Sequence, residues 1–130
     1  MQTLDQLIAK ATYAQFQILC KQVPTKELKG YIKKTATRLR MAGMGTTIAF
    51  CQKDENLKAV ATALALSLRT LPGVSHINTA DDLLKAYRER ELAEIRHLSS
   101  LAETCMEWLS KWADADKTTA DKTTTDKTTR

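Results

Sequence analysis

The densest group of cationic side chains in this sequence lies between residues 26 and 40. They are Lys26, Lys29, Lys33, Lys34, Arg38 and Arg40. Glu27 is the single acid in that segment. On a helix, Lys29, Lys33 and Arg40 fall within about 60° of Lys26, and we call these four residues the basic ridge. Lys34 and Arg38 lie one turn apart beside it, and we call them the flank pair.

Cations at this spacing are suited to binding an anionic polymer. Along about 25 Å of helix, each can meet a phosphate group of a passing nucleic-acid strand. No obvious base-reading side chains accompany them, so the predicted contacts are independent of nucleotide sequence. A solvated surface is the alternative interpretation, but surface helices usually mix both signs of charge. Residues 1–52 contain eight Lys or Arg against two acids, whereas residues 76–113 contain five against seven, which also favours a basic end offered to nucleic acid.

Groups for catalysis or metal binding do not occur at the required spacings. Gly43-Met44-Gly45 lacks the Gly-Lys-Ser/Thr of a phosphate-binding loop. Glu94 and His97 form one Glu-x-x-His pair, whereas a di-iron bundle needs two. The three cysteines are widely spaced, and the chain has only two histidines to complete a zinc site. We therefore predict a protein with no enzymatic activity, no metal site and no cofactor.

Apolar residues at three- and four-residue spacing predict an all-α fold, a compact bundle of five or six helices. Pro24 is expected to end the first helix and Thr25 to cap the second, and Gly43-Met44-Gly45 to reverse the chain. Leu4, Leu7, Ile8, Ala11, Ala14, Ile18 and Leu19 form the predicted apolar stripe of the first helix. The predicted helices span residues 3–23, 26–42, 46–51, 57–71, 80–87 and 89–113.

The end of the sequence has a different composition. Asp-Lys-Thr-Thr begins at residues 116, 121 and 126, with almost no apolar residue between the repeats. We therefore predict one helical domain over residues 1–113 and a disordered, low-complexity tail over residues 114–130. No secretory signal and no run of 18 apolar residues is visible, which predicts a cytoplasmic protein without membrane association.

Two tryptophans lie near the end of the last predicted helix. Trp108 and Trp112 carry more apolar surface than a terminal turn usually buries. We therefore predict that they contribute to an interface with a partner.

Two segments carry a resemblance to a known family. One is the run from Leu28 to Phe50, LKGYIKKTATRLRMAGMGTTIAF, and the other is the segment from Trp108 to Ala113, WLSKWA. Both resemble the small subunit of the type III-B CRISPR RNA-targeting (Cmr) complex, and the similarity extends over nearly all of residues 1–113. The sequence departs from the family pattern at Ala42, Thr46 and Ser110, where the family usually has Asn, Gln and a base.

The resemblance implies a non-catalytic bundle whose copies stack into a filament beside the guide RNA and its target RNA, together with the other Cmr subunits, in antiviral defence. It also implies that Lys111 joins the cations of the second helix in lining the RNA groove through backbone contacts. Guide and target would read sequence by base pairing.

Three alternatives remain open at this point. The first is a protein–protein adaptor whose basic face docks an acidic partner without touching nucleic acid. The second is a helix-turn-helix regulator, which is disfavoured because the second helix offers mainly Lys and Thr for base reading. The third is the type III-A counterpart of the small subunit.

Overall fold

The structure, a computed structural model, describes residues 2–74 and 76–116. Within those ranges it contains six helices and no strand, which confirms the all-α prediction. The helices are α1 (Leu4–Gln22), α2 (Thr25–Ala42), α3 (Met44–Cys51), α4 (Glu55–Arg69), α5 (Ala80–Glu89) and α6 (Leu92–Ala115). None of these helices is long and apolar enough to span a membrane.

Local side-chain caps fix the starts of α1 and α5. Thr3 Oγ1 accepts a hydrogen bond from the Gln6 amide at 3.1 Å, and Gln6 Oε1 accepts one from the Thr3 amide at 2.8 Å. Thr79 and Asp82 form the same reciprocal capping box at α5. Each box satisfies amides that a helix start leaves without an intrahelical partner.

The start of α2 differs from the prediction that Thr25 caps this helix. Thr25 is its first helical residue, and no side chain caps the N-terminus. The Pro24 carbonyl instead accepts hydrogen bonds from the amides of Glu27 and Leu28, at 2.9 and 3.0 Å. The first turn is therefore closed by the backbone alone.

Only Gly43 makes the reversal between α2 and α3. Its φ of +90° lies in the region that favours glycine, whereas Met44 and Gly45 already belong to α3. The predicted start at residue 46 was therefore two residues late. Gly45 serves packing instead, because a Cβ atom there would lie 2.6 Å from Tyr87 Cε2. The absent side chain lets α5 approach α3 closely.

Helix α4 lies at the centre of the bundle and contacts each of the other five helices. Eight of its residues are buried, including Val60, Leu64 and Leu68. It begins at Glu55, two residues earlier than predicted, because Asp54 Oδ2 accepts a hydrogen bond from the Leu57 amide at 3.1 Å. It ends at Arg69 rather than at residue 71.

The buried face of α1 is rotated relative to the predicted stripe. Its buried residues are Ile8, Thr12, Phe16 and Leu19. Leu4 and Ile18, by contrast, are 47% and 43% exposed. The reason is that α1 packs against both α4 and α6. The side of α1 that faces these two helices, and is therefore buried, is the side that carries Phe16.

Helix α6 extends beyond the predicted domain boundary. It begins at Leu92, three residues later than predicted, because the backbone at Arg90 and Glu91 is extended. It continues to Ala115, two residues beyond the predicted end of the last helix at residue 113. Asp116 caps its C-terminus with an extended backbone, and the part of the predicted tail from residue 117 to residue 130 lies outside the described residues. Because α6 packs along α1 and α2, its C-terminal end lies beside the cations of α2.

Candidate nucleic-acid interface

The core packing of α2 determines where its cations point. Leu28, Ile32 and Leu39 are each at most 2% exposed and anchor one face of the helix in the bundle. The six cations occupy the remaining circumference. Lys26, Lys34 and Arg40 are exposed, whereas Lys29, Lys33 and Arg38 are half-buried against neighbouring helices.

The α6 side of α2 forms an open groove that contains part of the basic ridge. Lys33 and Arg40 line it from α2, and Lys111 lines it from α6. The structure thus brings Lys111 next to the ridge, where the family resemblance puts it. Two acids, Glu107 and Asp114, line the same groove, which has a volume of about 310 Å³.

Asp114 makes the closest ionic contacts in this groove. Its Oδ1 lies 3.1 Å from Lys29 Nζ and its Oδ2 lies 2.8 Å from Lys33 Nζ. Hydrogen bonds from Lys33 first, and then from Lys29, hold the pKa of the Asp114 carboxyl below its usual value. All three side chains are between 41% and 49% exposed, so solvent screens both pairs and each contributes at most about 1 kcal/mol to stability. We call this arrangement the Asp114 clamp.

The sequence pattern does not predict the clamp, because the last predicted helix ends at residue 113. Asp114 is separated from Lys33 by 81 positions, so no local spacing rule connects them. The available signal was the continuation of helix-favouring residues through Ala115.

The α3 side of α2 has a different character. The Arg38 guanidinium carbon lies 3.7 Å from the centroid of the Phe50 ring, and Lys34 Nζ lies 5.8 Å from the same centroid. Both distances are within the range of cation–π attraction. Within residues 2–74 and 76–116, no carboxylate forms an ion pair with Lys34 or Arg38. The flank pair is therefore held by an aromatic ring, whereas Lys29 and Lys33 are paired with an acid.

The two tryptophans bridge α6 to α1. Trp108 Nε1 donates a hydrogen bond to Asp5 Oδ1 at 2.9 Å, and Trp112 Nε1 donates one to Thr12 Oγ1 at 3.0 Å. The Trp112 ring also meets Tyr13 edge to face, with 4.9 Å between centroids. Their polar atoms are thus satisfied within the chain, although both rings remain partly exposed. Their role in a partner interface stays a prediction.

The cysteines are poor metal ligands and nucleophiles in these surroundings. Burial raises the pKa of Cys105 to about 12. Burial first, and the neighbouring Asp116 second, raise the pKa of Cys20 to about 11. The thiolate is the reactive and metal-binding form, and it is scarce at neutral pH when the pKa is this high. Over the described ranges, no three His, Cys, Asp or Glu side chains form a cluster that could hold a metal ion.

Comparison with known proteins identifies the family. The family model described as "CRISPR-associated protein (Cas_Cmr5)" matches residues 4–116. Among solved structures, the chain is similar to the X-ray crystal structure of a CRISPR-associated Cmr5 family protein from Thermus thermophilus. The TM-score is 0.74 with 26% sequence identity, and the match covers 88% of this chain and 97% of that chain. No curated protein matches the sequence. Because the family model spans most of its length, the chain belongs to the Cmr5 family of CRISPR-associated proteins, the small subunits of the type III-B Cmr complex.

Proposed function

We propose that this chain is a non-catalytic subunit that holds guide and target RNA along α2 through sequence-independent contacts to the RNA backbone. The observation that carries the proposal is the combination of six cations on the surface of α2 with the fully buried opposite face of the same helix. The side chains are thereby offered from a rigid element. Family membership supports the proposal, because it associates the chain with the other subunits of an RNA-targeting complex.

The chemistry of the surface suits phosphate better than base recognition. Lys and Arg side chains neutralise phosphates and release condensed counterions, which is favourable for any nucleotide sequence. Phosphate contacts fix the position of a strand without reading it. Sequence selection is then left to pairing between guide and target.

Copies of the chain stack into a filament in this proposal, within the cytoplasm. One copy offers few phosphate contacts, so its affinity for RNA is low. Copies in a row multiply those contacts along one strand and raise the overall affinity without any new kind of interaction. Trp108 and Trp112, with their partly exposed rings, are the proposed contribution to contacts with neighbouring subunits.

A protein adaptor is the second candidate, and the Asp114 clamp is the observation that favours it. A carboxylate held by Lys29 and Lys33 is what an acidic partner helix would supply to the basic ridge. In that case the cations of α2 would be covered by protein whether or not RNA is present.

Lysine acetylation of the assembled complex tests the proposal directly. With guide and target RNA bound, Lys29, Lys33 and Lys34 are expected to react more slowly with an acetylating reagent than in the complex without target RNA. Lys10, Lys21 and Lys58 are exposed on other helices and serve as matched controls with unchanged reactivity. Protection of the α2 lysines that is complete before any RNA is added would favour the adaptor.

A further inference from the structure

The last turn of α2 exposes an apolar side chain beside the flank pair. Met41 is 82% exposed, the highest value among the large hydrophobic residues of the described chain. It lies one turn after Arg38 and two turns after Lys34 on the same side of the helix. Leaving a methionine in water forgoes the free energy that burial of its apolar surface would contribute. Flexible, polarisable methionines are common on binding surfaces that adapt to their ligands.

Met41 and the flank pair line an open groove on α2. The groove has a volume of about 600 Å³, and its described lining also includes Lys33, Thr37 and Ala42. Phe50 is not part of that lining, although Arg38 is. The Arg38 guanidinium, stacked 3.7 Å from the Phe50 centroid, therefore forms a wall of the groove with the ring behind it. A stacked guanidinium is a preorganised, planar wall.

The planar cation of Arg38, the thioether of Met41 and the ammonium group of Lys34 together restrict the class of ligand that this groove can bind. Nucleobases stack on guanidinium planes and on apolar side chains, and their phosphates pair with lysine. An acidic peptide would use the cations but would leave Met41 exposed. An apolar peptide would cover Met41 but would leave Lys34 and Arg38 without a counter-charge.

We propose that this groove holds one unpaired RNA nucleotide, with the base against Met41 and Arg38 and the phosphate on Lys34. The inference rests on the proposed RNA binding and adds to it a base contact that backbone binding alone does not include. The contact is indifferent to base identity, because every base has a π face.

Two RNA probes with equal charge separate base stacking from phosphate binding. One is hexa-adenylate, and the other is an abasic hexamer with the same number of phosphates. The full chain, labelled with carbon-13 at its methionine methyl groups and with nitrogen-15 at its backbone amides, is titrated with each probe and followed by NMR, so that the α2 amides report the affinity of either probe. A stacked base shifts the Met41 methyl upfield through its ring current. The buried Met44 and Met106 methyls serve as internal controls.

We expect hexa-adenylate to shift the Met41 methyl with a saturable dependence on concentration, and the abasic hexamer to leave it unchanged. Affinity for the abasic hexamer should be lower by about fivefold, the lower end of measured stacking contributions. Met41→Ala should reduce the affinity for hexa-adenylate to that for the abasic hexamer. Leu92→Ala, a matched loss of a 62% exposed apolar side chain on α6, should leave both affinities unchanged.

A second variant tests the wall of the groove. Phe50→Leu keeps apolar packing but removes the ring behind Arg38, so it should abolish the difference between the two probes while retaining salt-dependent binding. The melting temperature of this variant shows whether its fold is intact.

The outcomes separate this inference from the proposed function. Equal binding of the two probes, with an unmoved Met41 methyl, overturns the nucleotide groove and leaves phosphate binding intact. The absence of any signal change in the α2 residues at millimolar hexa-adenylate contradicts the proposed function itself. A hexaglutamate peptide that shifts the Met41 methyl as strongly as RNA does would assign the groove to an acidic protein.

Discussion

Asp114, at the end of α6, lies with its carboxylate 2.8 Å from the ammonium group of Lys33 on α2. The same carboxylate also contacts Lys29, so it takes the position that a phosphate oxygen would take between these two lysines. Any anion that binds there must displace it. The clamp is thus both a tie between two helices and an internal competitor for the proposed RNA contact.

Removing the negative charge of the clamp should strengthen RNA binding. Asp114→Asn is expected to raise the affinity by up to about thirtyfold at low salt, because the two competing ion pairs contribute at most about 1 kcal/mol each. Stability should change little, since a carboxylate at a helix C-terminus is opposed by the helix dipole. Fluorescence anisotropy with single-stranded RNA measures the change. Glu89→Gln removes an exposed acid from the last turn of α5 and controls for net charge.

An effect of Glu89→Gln as large as that of Asp114→Asn would show that net charge alone governs the affinity. Weaker binding by Asp114→Asn would mean that the clamp orders the ridge for RNA rather than competing with it.

The clamp also predicts a specific pH dependence. The pKa of Asp114 is lowered from an ordinary value near 3.8 by its hydrogen bonds with Lys33 and Lys29. A lowered folded-state pKa means that the pairs contribute fully above the unfolded-state pKa and are lost as pH falls through the folded value. Carboxyl-carbon NMR should therefore show Asp114 titrating below this ordinary value. Lys33→Ala should raise the pKa towards it, whereas Lys10→Ala should not.

The caps of α1 and α5 were predictable because they are local. Thr3 and Gln6, like Thr79 and Asp82, are three residues apart, and the chemistry of a capping box depends on that spacing alone. The buried face of α1 was not predictable in the same way. Leu4 and Ile18 fit an amphipathic stripe in isolation, but contacts with two helices far along the chain decide which side is covered.

The cations of the candidate interface were visible in the sequence, whereas their partners were not. The spacing of Lys29 and Lys33 is a property of one helix, so it could be read directly. Their pairing with Asp114, and the stacking of Arg38 on Phe50, depend on how α2 meets α6 and α3. No period in a single sequence encodes such contacts between helices.

Because α3 and α5 approach closely at Gly45, the effect of a Gly45→Ala substitution on stability should change sign when the Tyr87 ring is removed. Gly45→Ala should destabilise the protein by about 1–2 kcal/mol, because the new methyl group collides with the Tyr87 ring. In a Tyr87→Ala background the same change should instead stabilise by up to about 1 kcal/mol, the helix preference for alanine over glycine. Urea unfolding measures both values.

Gly30 provides the control for this pair of variants. It lies exposed within α2, and a Cβ atom there would meet nothing within 4 Å. Gly30→Ala should therefore stabilise in either background. Destabilisation by Gly45→Ala that persists without the Tyr87 ring would disprove the steric explanation.

Two truncations test where the helical domain ends. A chain that ends after Asp116 should melt within about a degree of the full chain, because residues 117–130 contain one apolar residue, Ala120. A chain that ends after Ala113 also loses the Asp114 clamp and the last turn of α6. It should melt about 4 °C lower or more, as expected for a loss of roughly 1 kcal/mol in a domain of this size. Equal melting temperatures for the two truncations would restore the boundary at residue 113.

The salt dependence of RNA affinity in the assembled complex tests the central proposal most directly. Five cations of α2 are replaced by alanine in one variant: Lys29, Lys33, Lys34, Arg38 and Arg40. Five exposed cations on other parts of the chain are replaced in the control: Lys10, Lys21, Lys53, Lys58 and Arg69. The two variants have the same net charge, so only the position of the charges differs.

We expect the α2 variant to bind target RNA more weakly across unrelated guide and target sequences. Its logarithmic salt slope should be flatter by about one unit for each phosphate that the variant no longer neutralises. The control should keep the affinity and slope of the unaltered complex. An α2 variant that assembles normally and retains both the affinity and the slope would contradict the proposal. That result would favour the protein adaptor, in which the basic ridge binds a protein partner.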